Sequence, residues 1–157
     1  SVGYNIVAGD RKISVVTDLG YFAPEVAAAV RDADFLMIES NHDEDMLRHG
    51  RYPAYLKARI LSDTGHLSNG NCAHAVKSMA VNGTRAFVLA HMSKENNSPA
   101  AALTAVDTAL SGWKPNWQGE VDVELPPGDS PGRVHIIPAH VPAKAAAPAQ
   151  AVGTKSR

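Results

Sequence analysis

Apolar and polar positions alternate from Val2 to Val7 and again from Lys12 to Thr17, with Gly9-Asp10 between the two runs. Gly-Asp between β-rich runs is a two-residue turn signal, so the pattern predicts a hairpin, with Asp18 at the end of its second strand. Pro24 to Ala33 is Ala-rich and has proline near its first turn, as helices prefer. The run D-F-L-M-I-E from Asp34 to Glu39 is apolar enough for a buried strand. A polar cluster, Ser40-Asn41-His42-Asp43-Glu44-Asp45, then opens a short helix that Tyr52-Pro53 breaks, and Ala54 to Leu61 forms another. Asn69 to Val81 follows as a helix with Ser68 or Asn69 at its N-cap. Gly83 stops it, and Arg85 to Ala90 is a second buried strand. Ser98-Pro99 starts a helix that runs to about Leu110, and strands are expected at Glu120–Leu125 and Arg133–Ile137. The order β-β-α-β-α-α-α-β-α indicates a layered α/β fold.

Composition narrows the class. The 157 residues are about one domain's worth, 45% hydrophobic and 20% charged. A net charge of -1 argues against a generic polyanion binder, which needs a basic excess. It leaves open a nuclease that holds its substrate through metal ions. The single cysteine, Cys72, rules out an internal disulfide and fits a reducing, cytoplasmic setting. No apolar run reaches the roughly 20 residues that span a bilayer. The chain opens without an initiator Met and already inside a strand, as the carboxy-terminal part of a longer protein would. From Pro138 an Ala/Pro/Lys-rich tail is expected to be disordered.

Chemistry-bearing residues collect at the strand ends: Asp18 after the second strand, Glu39 to Asp43 after the third, His91 after the fourth. His66, in Gly65-His66-Leu67-Ser68-Asn69, sits in the loop before the fourth strand. Strand ends are where layered α/β folds place functional side chains. Carboxylates can bridge cations, neutral imidazole binds zinc, and a further histidine can move protons. Each residue also has a structural reading. Asp18 can cap a turn, His66 and His91 can be hydrogen-bonded packing residues, and Glu39 to Asp43 can favour a helix's positive end. His42 is the weakest of the set, in a solvated charge run. His49, His74, His135 and His140 show no context beyond surface or helix placement. Cys72 reads as a small helix-face residue.

Taken together, T-D-L-G, I-E-S-N-H-D, R-Y-P-A-Y-L-K-A-R-I-L-S-D-T-G-H-L-S-N and L-A-H-M-S-K-E-N-N resemble the metallo-β-lactamase-fold hydrolases of the YycJ/WalJ type, in order from about Gly3 to Leu110. The layout is also similar, at lower similarity, to ribonuclease Z. The resemblance implies a four-layer αββα sandwich with a two-metal site (Zn²⁺ or Mn²⁺) at one edge. It implies Asp18 as the metal-bridging aspartate, His91 as the last histidine ligand, and His66 as a histidine just outside the metals that serves the leaving oxygen. Glu39 and Asn41 fall where side chains support the ligands, and Ser68, Asn69, Ser93, Lys94 and Asn97 where the substrate passes. Lys94 is the one cation in that group and suits a phosphate. The implied activity is metal-assisted phosphodiester hydrolysis, in this group a 5′-3′ exonuclease on double-stranded DNA.

The family's H-x-H-x-D-H string is absent from these residues. Asp18 and His91 alone are two ligands where catalytic zinc has three or more. The expectation is therefore the C-terminal half of the fold over 1–137, a mixed sheet with helices on one face. Such a half is incomplete as a catalyst without its N-terminal partner half, and it leaves an apolar sheet face uncovered. The alternatives are hydrolysis of another ester, thioester or lactam on the same fold, or a non-catalytic interaction domain.

Overall fold

The computed structural model describes residues 2–114, 120–128 and 130–138. The tail expected to be disordered lies beyond them from residue 139 onward, as does His140. Among the described residues, five strands and five helices form in the order β1 (Val2–Ala8), β2 (Arg11–Thr17), α1 (Pro24–Val30), β3 (Phe35–Glu39), α2 (Glu44–His49), α3 (Ala54–Ile60), α4 (Asn69–Val81), β4 (Ala86–Ala90), α5 (Pro99–Leu110) and β5 (Asp122–Glu124). The strands make one sheet in the order β1-β2-β3-β4-β5. The hairpin β1–β2 is antiparallel and turns at Gly9-Asp10, with Gly9 at φ 61°, where glycine carries no Cβ penalty. The remaining pairs are parallel, so the sheet is mixed.

Strand alternation decides what the sheet buries. Val16, Leu36, Ile38, Phe87 and Leu89 share a core with Val76, Met79 and Val106 from α4 and α5. Each large side chain buried there contributes about 1.5–3 kcal/mol. Phe35 has the opposite parity in β3, and the His135 ring packs edge-on against it with centroids 4.9 Å apart. The hairpin is less covered: Tyr4, Ile6 and Val7 of β1 are 64%, 57% and 68% exposed.

Two sequence expectations give way here. Residues 133–137 form no strand, because their side chains bind the neighbouring strand without entering its ladder. Arg133 pairs with Asp122 and Glu124, and His135 Nε2 lies 2.6 Å from Glu124 Oε2. His135 therefore has a context that its sequence neighbours did not show. The Ser40–His42 run is also not solvated. Its backbone is clamped between two loops, by Asn41 N–H to Leu67 O at 2.9 Å and Ser93 N–H to Asn41 O at 2.8 Å. His42 is consequently 1% exposed.

Candidate metal centre

Three adjacent parallel strands end at one edge of the sheet, and each delivers a chemical group there. β3 lies in the middle and ends on Glu39. Asp18 follows β2 on one side, and His91 follows β4 on the other. Neighbouring strands are about 4.8 Å apart, so side chains from the two flanking strands can reach the central carboxylate. Both flanking residues break their strands with left-handed backbone, Asp18 at φ 57° and His91 at φ 54°. That conformation costs a non-glycine residue about 1–3 kcal/mol and persists where surrounding structure holds it. Asp32, at φ 61° between α1 and β3, shares the conformation away from this edge.

His66 is brought in by a close approach of backbone to backbone. A Cβ on Gly65 would fall on the Ile60 and Arg59 carbonyl oxygens at the end of α3, and one on Gly20 would fall on the Asp63 backbone. The two glycines thus let the 62–66 loop lie flat between α3 and the exit of β2. The loop is fastened by His66 N–H to Ile60 O at 3.0 Å and Gly65 N–H to Ser62 O at 2.8 Å.

Glu39 organises the result. It is fully buried, a costly position for a carboxylate unless it is hydrogen-bonded. Its Oε2 accepts from Leu19 N–H at 2.9 Å and, more distantly, Leu67 N–H at 3.4 Å. Its Oε1 lies 2.8 Å from His66 Nδ1 and 2.7 Å from His91 Nδ1. A carboxylate only accepts, so both imidazoles donate from Nδ1, which leaves Nε2 of each as the free ring nitrogen. Asp18 Oδ1 stands 3.8 Å from both Nδ1 atoms. The two rings meet at 72° with centroids 5.1 Å apart. One donor atom from each of Asp18, Glu39, His66 and His91 lies within 4.8 Å of one from every other. Carboxylate oxygen with imidazole nitrogen is a donor set that suits zinc and neighbouring divalent ions.

The surrounding polar residues hold the loops in place. Asn41 Nδ2 donates to His91 O at 2.8 Å and so fixes the left-handed turn after β4. Ser40 Oγ donates to Asn69 Oδ1 at 2.8 Å, Asn69 Nδ2 to Asn97 Oδ1 at 2.8 Å, and Asn97 Nδ2 to Ser40 O at 2.9 Å. Asn69 and Asn97 are 4% and 7% exposed, and they spend their amides on each other and on the loop after β3. Ser68 is likewise buried and caps α4 by accepting from Asn71 N–H at 3.3 Å. Of the five residues expected along the substrate path, Ser93 and Lys94 line the cavity beside the cluster, and the other three build this scaffold. Cys72 is buried, and its thiol is pushed up to about 12 by desolvation, opposed by a hydrogen bond with Ser40.

That cavity, about 510 Å³, opens over Asp18, His66 and His91. Its far wall is α3 and the residue pair preceding it, through Tyr52, Leu56, Arg59 and Ile60. Sequence reasoning passed over Tyr52 and Arg59. The signal for Arg59 was the spacing, since 56, 59 and 60 share one face of α3 immediately before the loop that carries His66; Tyr52 lies before the helix's N-cap Pro53 and gave no such signal.

Fold and site together define a class. The Beta-lactamase superfamily domain family matches residues 1–92, more than half of the chain, and the chain belongs to that superfamily. Among individual relatives, the Exodeoxyribonuclease YycJ of Bacillus anthracis is 40% identical over 101 residues, covering 64% of this chain and 38% of that protein. The Exodeoxyribonuclease WalJ of Streptococcus pneumoniae serotype 2 (strain D39 / NCTC 7466) is 45% identical over 94 residues, covering 60% of this chain and 35% of that protein. The chain thus spans little more than a third of the length of these relatives. Among the described residues no helix is long and apolar enough to cross a membrane.

Proposed function

We propose that the chain supplies one wall of the active centre of a metal-dependent phosphodiesterase, a DNA exonuclease like the relatives it resembles. The observation that carries this reading is Glu39. A buried carboxylate holds two imidazoles by Nδ1 beside a third donor, Asp18, which is how carboxylate–histidine pairs present Nε2 to a metal. Asp18 and His91 hold the ions, with further donors supplied by the segment that completes the αββα fold in the whole protein. Divalent cations, when bound, acidify water and neutralise charge that develops on a phosphate. Glu39 sets the tautomer and direction of both rings. Asn41 fixes the His91 turn, and Lys94 faces the substrate's negative charge. His66, in its imidazolium form with Nδ1–H kept on Glu39 Oε1, delivers the second ring proton from Nε2 to the leaving oxygen.

Substitution in the complete protein tests the roles. His66→Ala is expected to slow cleavage of double-stranded DNA by about 10²–10⁴-fold while metal content, read by elemental analysis, stays intact. Asp18→Ala is expected to empty at least one metal position. Loss of metal in His66→Ala would make His66 a ligand, and full occupancy in Asp18→Ala would refute its role.

A further inference from the structure

β1 ends the sheet, with β2 on one side and, among the described residues, no strand on the other. Free strand edges invite pairing with another chain, and folded proteins blunt them with lysine, proline, bulges or short length. β1 carries none of these guards. It is seven residues long, V-G-Y-N-I-V-A, with no charge and no proline, and it pairs with β2 without a bulge from Val2 to Ala8. The two-residue turn decides which backbone groups are left over. Ala8 and Arg11 flank Gly9-Asp10 and so form a hydrogen-bonded pair, and the alternation then bonds Ile6 with Ile13 and Tyr4 with Val15. The N–H and C=O groups of Gly3, Asn5 and Val7 therefore point outward, and among the described residues no backbone bond from a loop or another strand reaches them. Tyr4, Ile6 and Val7 stand largely exposed along the same edge.

We propose that this edge is an interface between two copies of the protein, joined β1 to β1 in antiparallel fashion about a two-fold axis at Asn5. The strand is self-complementary in that register. Gly3 faces the partner's Val7 and Asn5 faces the partner's Asn5, and each such pair exchanges two backbone hydrogen bonds. Tyr4 falls opposite the partner's Ile6, an aromatic against a β-branched side chain, which is a stabilising cross-strand pair. No like charges meet across the axis, because the strand has none. The edge is about 23 Å long. That is at the low end of specific interface sizes, so the dimer is a weak one, with a dissociation constant in the micromolar range. Joining two five-stranded sheets gives ten strands, within the size that open sheets reach. Antiparallel joining turns the second copy end for end. The two clusters of Asp18, Glu39, His66 and His91 then lie at opposite edges of the joined sheet, and each copy keeps its own site.

Two measurements on the complete protein test the interface: sedimentation equilibrium from about 1 to about 100 μM, and amide hydrogen exchange resolved by residue. Dimers are expected at the upper concentrations and monomers at the lower. The amides of Gly3, Asn5 and Val7 are expected to exchange about tenfold or more faster on dilution, while those of Tyr4 and Ile6, bonded to β2, stay protected throughout. Val7→Pro removes an outward N–H and touches no bond to β2, so it should raise the dissociation constant about tenfold or more. Val7→Thr keeps the N–H and a β-branched side chain and should dimerise like the parent. A protein still monomeric at about 100 μM would overturn the proposal, as would a Val7→Pro dimer as tight as the parent's. Protection of the Gly3, Asn5 and Val7 amides that dilution leaves unchanged would also overturn it, because the edge would then be covered from within one molecule. The exchange pattern of the parent decides the matter even where Val7→Pro does not fold.

Discussion

Glu39→Gln changes one atom at the centre of the site and nearly preserves volume. Glu39 accepts four hydrogen bonds, two from backbone N–H groups and two from imidazoles. A glutamine has one accepting oxygen and one donating nitrogen. If the amide nitrogen faces Leu19 and Leu67, donors face donors in a fully buried position. If it faces the rings, Nδ1 of each imidazole must accept, its proton moves to Nε2, and Nε2 no longer offers a lone pair. The second arrangement is the less costly, because rings can change tautomer and backbone amides cannot. All four charge-assisted bonds become neutral ones, about half as strong, a loss of about 2–5 kcal/mol of stability when summed. Metal affinity should fall about 10–100-fold, as for other groups that orient metal-binding histidines. Chelator competition measures the affinity, urea denaturation the stability, and nitrogen-15 shifts of the two imidazoles the tautomer. Native metal affinity together with Nδ1-protonated rings in the variant would refute the reasoning, because Glu39 would then not be what fixes the rings.

Two further expectations follow from buried contacts. Gly65→Ala drives a methyl into the Ile60 and Arg59 carbonyls, backbone that cannot give way, and should cost about 3 kcal/mol; a urea midpoint within about 0.5 kcal/mol of the parent, the range of an inert surface change, would show that the loop is free to move. The His42 pKa is held below its ordinary value, chiefly by burial and against the opposing pull of Glu44, and neither ring nitrogen has a hydrogen-bond partner. The unfolded chain therefore takes up this proton first: the His42 contribution is fully present above about pH 6.5 and is lost as pH falls below it, levelling off under the folded-state pKa. His42→Leu should flatten the fall in urea midpoint between pH 7.5 and 5.5, and an unchanged pH slope would assign that fall to other groups.

The elements were legible because their signals are local. Gly9-Asp10 marks the hairpin, Pro24 and Pro99 open helices, and the 34–39 and 85–90 runs are too apolar to lie anywhere but inside. The strand-end location of Asp18, Glu39 and His91 was legible for the same reason. The surroundings of Ser40 to His42 were not. A polar run reads as solvated until loops about 25 and 50 residues further along close over it, and nothing within the run announces them. The His135 contact needed the reversal after β5, and the Leu56–Arg59 wall needed to be seen as one face of a turn beside a loop. Local periodicity yields strands and helices. Burial of polar side chains depends on partners distant in the chain.

Strand order has a consequence for assembly. Residues 18, 39 and 91 become neighbours only once β2, β3 and β4 lie side by side, and a chain with any one of the three undocked has no cluster. A cation that binds here binds the completed sheet and discriminates against every partly formed one. At a hundred times its dissociation constant it would add about 2.7 kcal/mol to the folded state, so the ions proposed for chemistry would also act as a latch on the architecture that holds them.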